Sequence, residues 1–497
     1  MKKVILLAAL VFLAVNLPVF AASTEVVVAV PTLGDHLDPH RVPGNGANML
    51  MHIFDNLTRL DTKGDVQPNI AESWTNIAPT IWRFKIKKGL KFHNGESLDA
   101  KVVKLNQERL NNPKMPGITS DLKGIVKTEL IDDYTIDFYS KTADALFPNR
   151  MSYFLIAPAS MLGDLTSTEF NKRPIGSGPY KFVEWVPDDR IVLVANPEYH
   201  RGAPSISKIT FKVIPEKSSQ IASLMTGAVD HVEGIPPDMI TRIDASKNTR
   251  VVSRPSPVSS VVIMRTDVES PFKDRRVRQA VNYAVDMDTI IKTILSGKAS
   301  RKSTPVSSVD VGYNPDVPLY PYDPAMAKKL LAEAGYPNGF SIKFEATPSV
   351  DGVYNMEVLQ AVCQYLQKVG ISADLVNVEY GIMRQKVYGD RTVAPIFRWS
   401  WKTWYGDPLG TLDGFFHWGS LGCFTNDPKL TKMIEDIAKE PNKTKRDQLI
   451  KDVQVIIHEE AYHLPLYALQ TSYGVSERLA WEPRADERVY LYDASIK

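Results

Sequence analysis

Cysteine is nearly absent from this chain of 497 residues. Its two cysteines, Cys363 and Cys423, exclude the dense disulfide framework on which small secreted domains rely. A single bridge remains possible in an oxidising compartment. Against it, Cys363 shares an apolar helical stripe with Leu359, Val362 and Leu366, the position of a small buried thiol. Charge excess is also lacking. There are 59 Lys and Arg against 57 Asp and Glu, a formal +2, and no basic block, so nucleic-acid binding is not expected. After the amino-terminal segment no apolar run is long enough to cross a bilayer. Catalytic signatures are missing too: there is no zinc-binding His-Glu-x-x-His and no Gly-x-Ser-x-Gly elbow. Gly176-Ser177-Gly178 comes nearest, and it reads as a tight turn that needs glycine. Tryptophan is scarce, with eight in all.

Three of the eight stand together in Arg398-Trp399-Ser400-Trp401-Lys402-Thr403-Trp404-Tyr405-Gly406-Asp407-Pro408. Rings with polar handles suit a ligand pocket, yet the same rings could be core. The pattern before them decides. Ser341–Ala346 reads as a strand, Asn355–Val369 as a helix closed by Gly370, and Ile371–Val378 as a strand. Tyr380–Tyr388 reads as a short helix and Ala394–Trp399 as a third strand. A β-α-β-α-β run predicts a parallel sheet with right-handed crossovers. The aromatic stretch then lies at the carboxyl end of a parallel strand, where ligands gather in open α/β sheets.

The first residues have the form of a signal peptide. Lys2 and Lys3 precede the apolar run Val4–Val15, Pro18 breaks it, and Val19-Phe20-Ala21 offers a cleavage site after Ala21. No cysteine follows that site to carry a lipid, so a free periplasmic protein is expected. Next, Glu25–Val30 reads as a buried strand and leads into a loop whose Asn45 could reach a ligand. His36 and His40 are four apart, but Pro39 between them disfavours a helical metal site, and both read as exposed loop histidines. Strands are predicted at Ile81–Ile86, Tyr134–Phe138, Arg190–Val194 and Lys208–Val213. Asp274–Ser296 reads as one amphipathic helix, and Asp323-Pro324 starts another. Turn-rich Pro255-Ser256-Pro257 and the strand-like return Thr471–Val475 are the candidate crossings between two lobes.

Fragments spread along most of the chain resemble one family. They are Asn69-Ile70-Ala71-Glu72-Ser73-Trp74, Trp82-Arg83-Phe84 through Lys91-Phe92-His93-Asn94-Gly95, Pro174 to Tyr180, and Asn196-Pro197-Glu198-Tyr199. Further on come Pro271-Phe272-Lys273-Asp274-Arg275-Arg276-Val277-Arg278-Gln279-Ala280 and Tyr322-Asp323-Pro324 with Ala334-Gly335-Tyr336. In order and spacing they are similar to the bacterial extracellular solute-binding proteins of the dipeptide, oligopeptide and nickel class. The resemblance implies an α/β periplasmic-binding-protein fold: two α/β lobes, a two-strand hinge, and an extra domain inserted in the first lobe. It places the first lobe at 22–257 and 472–497 with the insertion at about 50–175, and the second lobe at 258–471. It also implies a monomer that closes on a small-molecule or peptide ligand and delivers it to an ABC permease, with no cofactor, no metal and no catalysis.

One position departs from the family. Where dipeptide binders carry an aspartate for the ligand's amino terminus, Trp404 stands here, and Asp407 matches a turn-forming aspartate instead. Asp407 or Asp413 would have to substitute, because a buried amine without a carboxylate is costly. Larger peptides, glycosides, opine-like conjugates and, through His417, metal chelates or haem therefore stay open beside dipeptides. A periplasmic hydrolase is the remaining alternative. The expected ligand-binding set is Trp399, Trp401, Trp404, Tyr405, Arg398, Asp407 and Asn45. A Trp404→Ala chain is expected to lose affinity in calorimetry while staying folded.

Overall fold

The computed structural model describes residues 24–41, 47–115, 122, 124–348, 355–403 and 406–497. Two sheets organise it. In the first, Glu25–Val30 runs parallel to Lys208–Val213 on one side and to His231–Glu233 on the other. Arg190–Ala195 and Tyr180–Val186 extend the sheet antiparallel at one end. At the other end Ala468–Ser476 lies between His231–Glu233 and Thr249–Pro255, antiparallel to both.

The second sheet has the strand order Ile371–Asn377, Phe340–Ala346, Ile396–Lys402, Val258–Met264, His463–Pro465. Its first three strands are parallel, as the β-α-β-α-β pattern requires. The intervening helices are Asn355–Lys368 and Tyr380–Arg384, the latter continuing as a wider turn to Gly389. In the strand Ile396–Lys402 the first four residues, Ile396, Phe397, Arg398 and Trp399, are all buried, because helices cover both faces of a parallel sheet.

The chain crosses between the sheets twice. It leaves through Ser256 and Pro257, passing from Thr249–Pro255 to Val258–Met264, and returns from His463–Pro465 to Ala468–Ser476. The two crossings are neighbours, since the outgoing and returning strands pair in each sheet. This is the two-lobed α/β fold with a two-strand hinge. The inserted domain carries a four-stranded antiparallel sheet, Ala71–Ala78, Ile81–Ile86, Thr135–Ser140 and Ile125–Asp132. Its core is built on Phe84, Phe138 and Phe147.

Three local expectations are corrected. Asp274–Ser296 is two helices, Arg275–Ala284 and Met287–Thr293, because Asp286 turns its carboxylate onto the Thr289 N–H and caps the second. His40 is buried, not exposed: its Nε2 lies 3.0 Å from the Leu155 carbonyl and its Nδ1 2.8 Å from Arg109. Burial pushes its pKa down to about 4. Gly176 and Gly178 are needed for close approach and not for a left-handed turn. A Cβ at Gly176 would sit 1.9 Å from the Ile53 carbonyl oxygen, and one at Gly178 2.7 Å from that of His52. Gly176→Ala is therefore expected to cost about 1–3 kcal/mol, read as a lower urea midpoint with an unchanged slope. Cys363 and Cys423 are both free thiols.

Candidate binding cavity

The strand Ile396–Lys402 builds one wall of the site. Alternation along it sends Phe397, Trp399 and Trp401 to one face and Arg398, Ser400 and Lys402 to the other. Trp399 is buried and donates its indole N–H to the Tyr388 hydroxyl at 3.0 Å. The Tyr380 ring lies near-parallel to it, 6.4 Å away between centroids. Trp401 packs edge-on against Phe415 and Tyr388. Two glycines make room for it, since a Cβ at Gly414 would lie 2.8 Å from the indole and one at Gly422 3.1 Å.

These rings open onto a cavity of about 770 Å³, a size suited to a small solute. The second lobe contributes Tyr380, Arg384, Tyr388, Trp399, Ser400, Trp401, Lys402, Asp407, Leu409 and Asp413. The inserted domain supplies the facing wall, including Ile125, Ser140, Thr142, Asp144, Phe147 and Arg150. The two walls also touch directly. The Ala145 N–H donates to the Ala438 carbonyl at 2.9 Å, and Leu146 is buried in the cluster that holds Trp399, Leu409 and Phe415.

The candidate residues fall into four groups. Trp399 and Trp401 line the cavity, and Lys402 lines it beside them while paired with Glu487 at 2.7 Å. Arg398 does not line it. Its guanidinium is fully buried and donates to the Ser260 hydroxyl at 2.9 and 3.2 Å, tying two adjacent strands together. Asp407 borders the cavity, but both its oxygens take the Arg446 guanidinium, one at 2.7 Å, and it also accepts from the Leu409 N–H at 2.9 Å. Burial disfavours charge on Arg446, but Asp407 more than offsets it and the pKa of Arg446 is raised. Asn45, Trp404 and Tyr405 lie outside the described residues, as does the amino-terminal signal segment.

Sequence reading did not single out Tyr380, Arg384 and Tyr388. Their spacing of four places them on one face of a helix, and that face follows a parallel strand, which was the available signal. The wall from the inserted domain had no such signal.

The remaining charges divide clearly. Asp144 pairs with Arg150 at 2.9 Å. Arg384 meets only ring faces among the described residues, those of Tyr380 and Tyr388 at 5.9 and 6.0 Å. Asp413 is half exposed, accepts from the Ser420 hydroxyl at 2.8 Å, and lies 3.6 Å from His417. His417 itself stands between Asp413 and Glu435.

A family described as bacterial extracellular solute-binding proteins, family 5 Middle, matches residues 65–422. The chain belongs to this family. The glutathione-binding protein GsiB of Pectobacterium atrosepticum is 28% identical over 467 residues, covering 89% of this chain and 88% of its own. Heme-binding protein A of Haemophilus influenzae is 27% identical over 433 residues, covering 81% and 79%. The structure of HbpA2 from Haemophilus parasuis superposes with a TM-score of 0.87 at 22% identity, covering 95% of this chain and all of that one. The fold is thus shared over 95% of this chain. The family serves extracellular solute capture, and no helix among the described residues is long and apolar enough to cross a membrane.

Proposed function

We propose that this chain is the periplasmic, monomeric binding subunit of an ABC importer, and that it captures a short zwitterionic peptide or peptide-like solute without transforming it. The observation that carries the reading is the division of charge in the cavity. Asp144, Asp407, Arg150 and Lys402 are committed to protein partners. Arg384, which meets only ring faces among the described residues, and Asp413, half exposed beside Ser420 and His417, face the cavity to meet a carboxylate and an ammonium. Trp401 and Tyr380 offer ring surface to the body of the solute, with Trp399 buried behind Tyr380.

Asp413 takes the role of amine anchor that Asp407 cannot fill, because Asp407 is neutralised by Arg446. A solute of this kind includes glutathione, the ligand named for several relatives. Mass spectrometry of whatever co-purifies with the chain tests the proposal. One equivalent of a small zwitterion is expected. A single bound solute without ionisable groups would overturn it.

A further inference from the structure

The C-terminal segment joins the two lobes at one carboxylate. Glu487 belongs to the first lobe: its neighbours Val489, Tyr490 and Leu491 pack in the same core as Val26 and Val28. Its backbone is left-handed, with φ 57°, which turns the side chain toward the crossings. One oxygen accepts from the Ser256 hydroxyl at 2.7 Å and from the Thr471 hydroxyl. Ser256 lies on the outgoing crossing, and Thr471 lies on the strand that the returning one enters. The other oxygen meets Lys402 Nζ at 2.7 Å. Lys402 is the last residue of the second-lobe strand that carries Trp399 and Trp401, it lines the cavity, and it stands in register with Val258 just past the outgoing crossing.

We propose that Glu487 is a closure latch, a positioning residue that holds the two crossings and the second-lobe wall in the closed setting. The proposal rests on the solute-capture reading only for its purpose, not for its geometry. The pair is largely shielded, with 10% of the Glu487 side chain and 18% of the Lys402 side chain exposed, so water screens it little. Burial opposes charge on Glu487, yet Lys402 and the two hydroxyls hold its carboxyl below the usual range. Glu233 stands near the same pair, its carboxyl held above the usual range first by burial. Rotation of the lobes about the crossings moves Lys402 away from a carboxylate that is itself fixed by both crossings. As a latch, the ion pair forms in the closed setting and is released on opening.

The test uses the full chain as wild type, Glu487→Gln, Lys402→Met and the double variant. Glutamine keeps an acceptor oxygen for Ser256 and Thr471 and removes only the charge. Small-angle X-ray scattering without solute is expected to show a larger radius of gyration for each single variant. With reduced glutathione as probe, the dissociation rate is expected to rise about tenfold while association changes little. The double variant should go no further than the singles, since both remove one interaction. A lower urea midpoint with unchanged scattering and an unchanged dissociation rate would make Glu487 merely structural and overturn the latch. So would additive effects in the double variant. Scattering decides the latch even if wild type fails to bind the probe, which would count against the functional reading instead.

Discussion

Trp401→Ala is expected to weaken solute binding about 100-fold, with the chain still folded. Large rings buried at the centre of a contact carry roughly 2–4 kcal/mol of binding, and Trp401 meets that description. It lies at the carboxyl end of a parallel strand, seated by Gly414 and Gly422 and faced by Tyr388. Its side chain is only partly buried by the protein, which leaves ring surface for a solute to cover. Truncation removes that surface and lets the Leu409–Phe416 helix relax toward the cavity. Calorimetry against wild type checks this, with circular dichroism confirming the fold. Affinity within twofold of wild type would remove Trp401 from the site.

Asp407→Ala is expected to cost about 3–5 kcal/mol of stability, because it strands a buried guanidinium. Only 7% of the Arg446 side chain and 3% of the Asp407 side chain are exposed. Asp407 also accepts from the Leu409 N–H at the start of the following helix, so part of the cost is a lost hydrogen bond. Urea denaturation measures it. A chain of unaltered stability that no longer binds solute would return Asp407 to the role of ligand anchor. Asp407→Asn should lie between the two, since the amide still offers one acceptor.

These two residues show where sequence reading reached its limit. The parallel sheet was legible because its strands are short β-branched and aromatic runs separated by helical periodicity. From it followed the position of Trp399 and Trp401 at a strand end. Which polar neighbours face the solute was not legible. Arg398 and Asp407 look like ligand anchors beside the tryptophans, yet one is spent on Ser260 and the other on Arg446, a partner 39 residues further along the chain. Strand alternation does not settle this, since Ser400 and Lys402 share the face of Arg398 and still line the cavity, whereas Arg398 is fully buried. Nor was the Arg446 partner legible, because it depends on how distant helices pack. The facing wall, from Ile125 to Arg150, reaches the second lobe through tertiary docking of Ala145 and Leu146. The single helix expected over 274–296 failed for a local reason, since Asp286 interrupts an otherwise continuous apolar stripe as a cap.

Calorimetric titration with short peptides and their end-capped forms tests the central claim most directly. Acetylating the amino terminus or amidating the carboxyl terminus should each weaken binding about tenfold or more, as loss of a shielded charge pair does. Asp413→Asn should erase the penalty of acetylation and Arg384→Gln that of amidation. Equal affinity for free and doubly capped peptides would contradict a cavity built around a zwitterion held between Arg384 and Asp413.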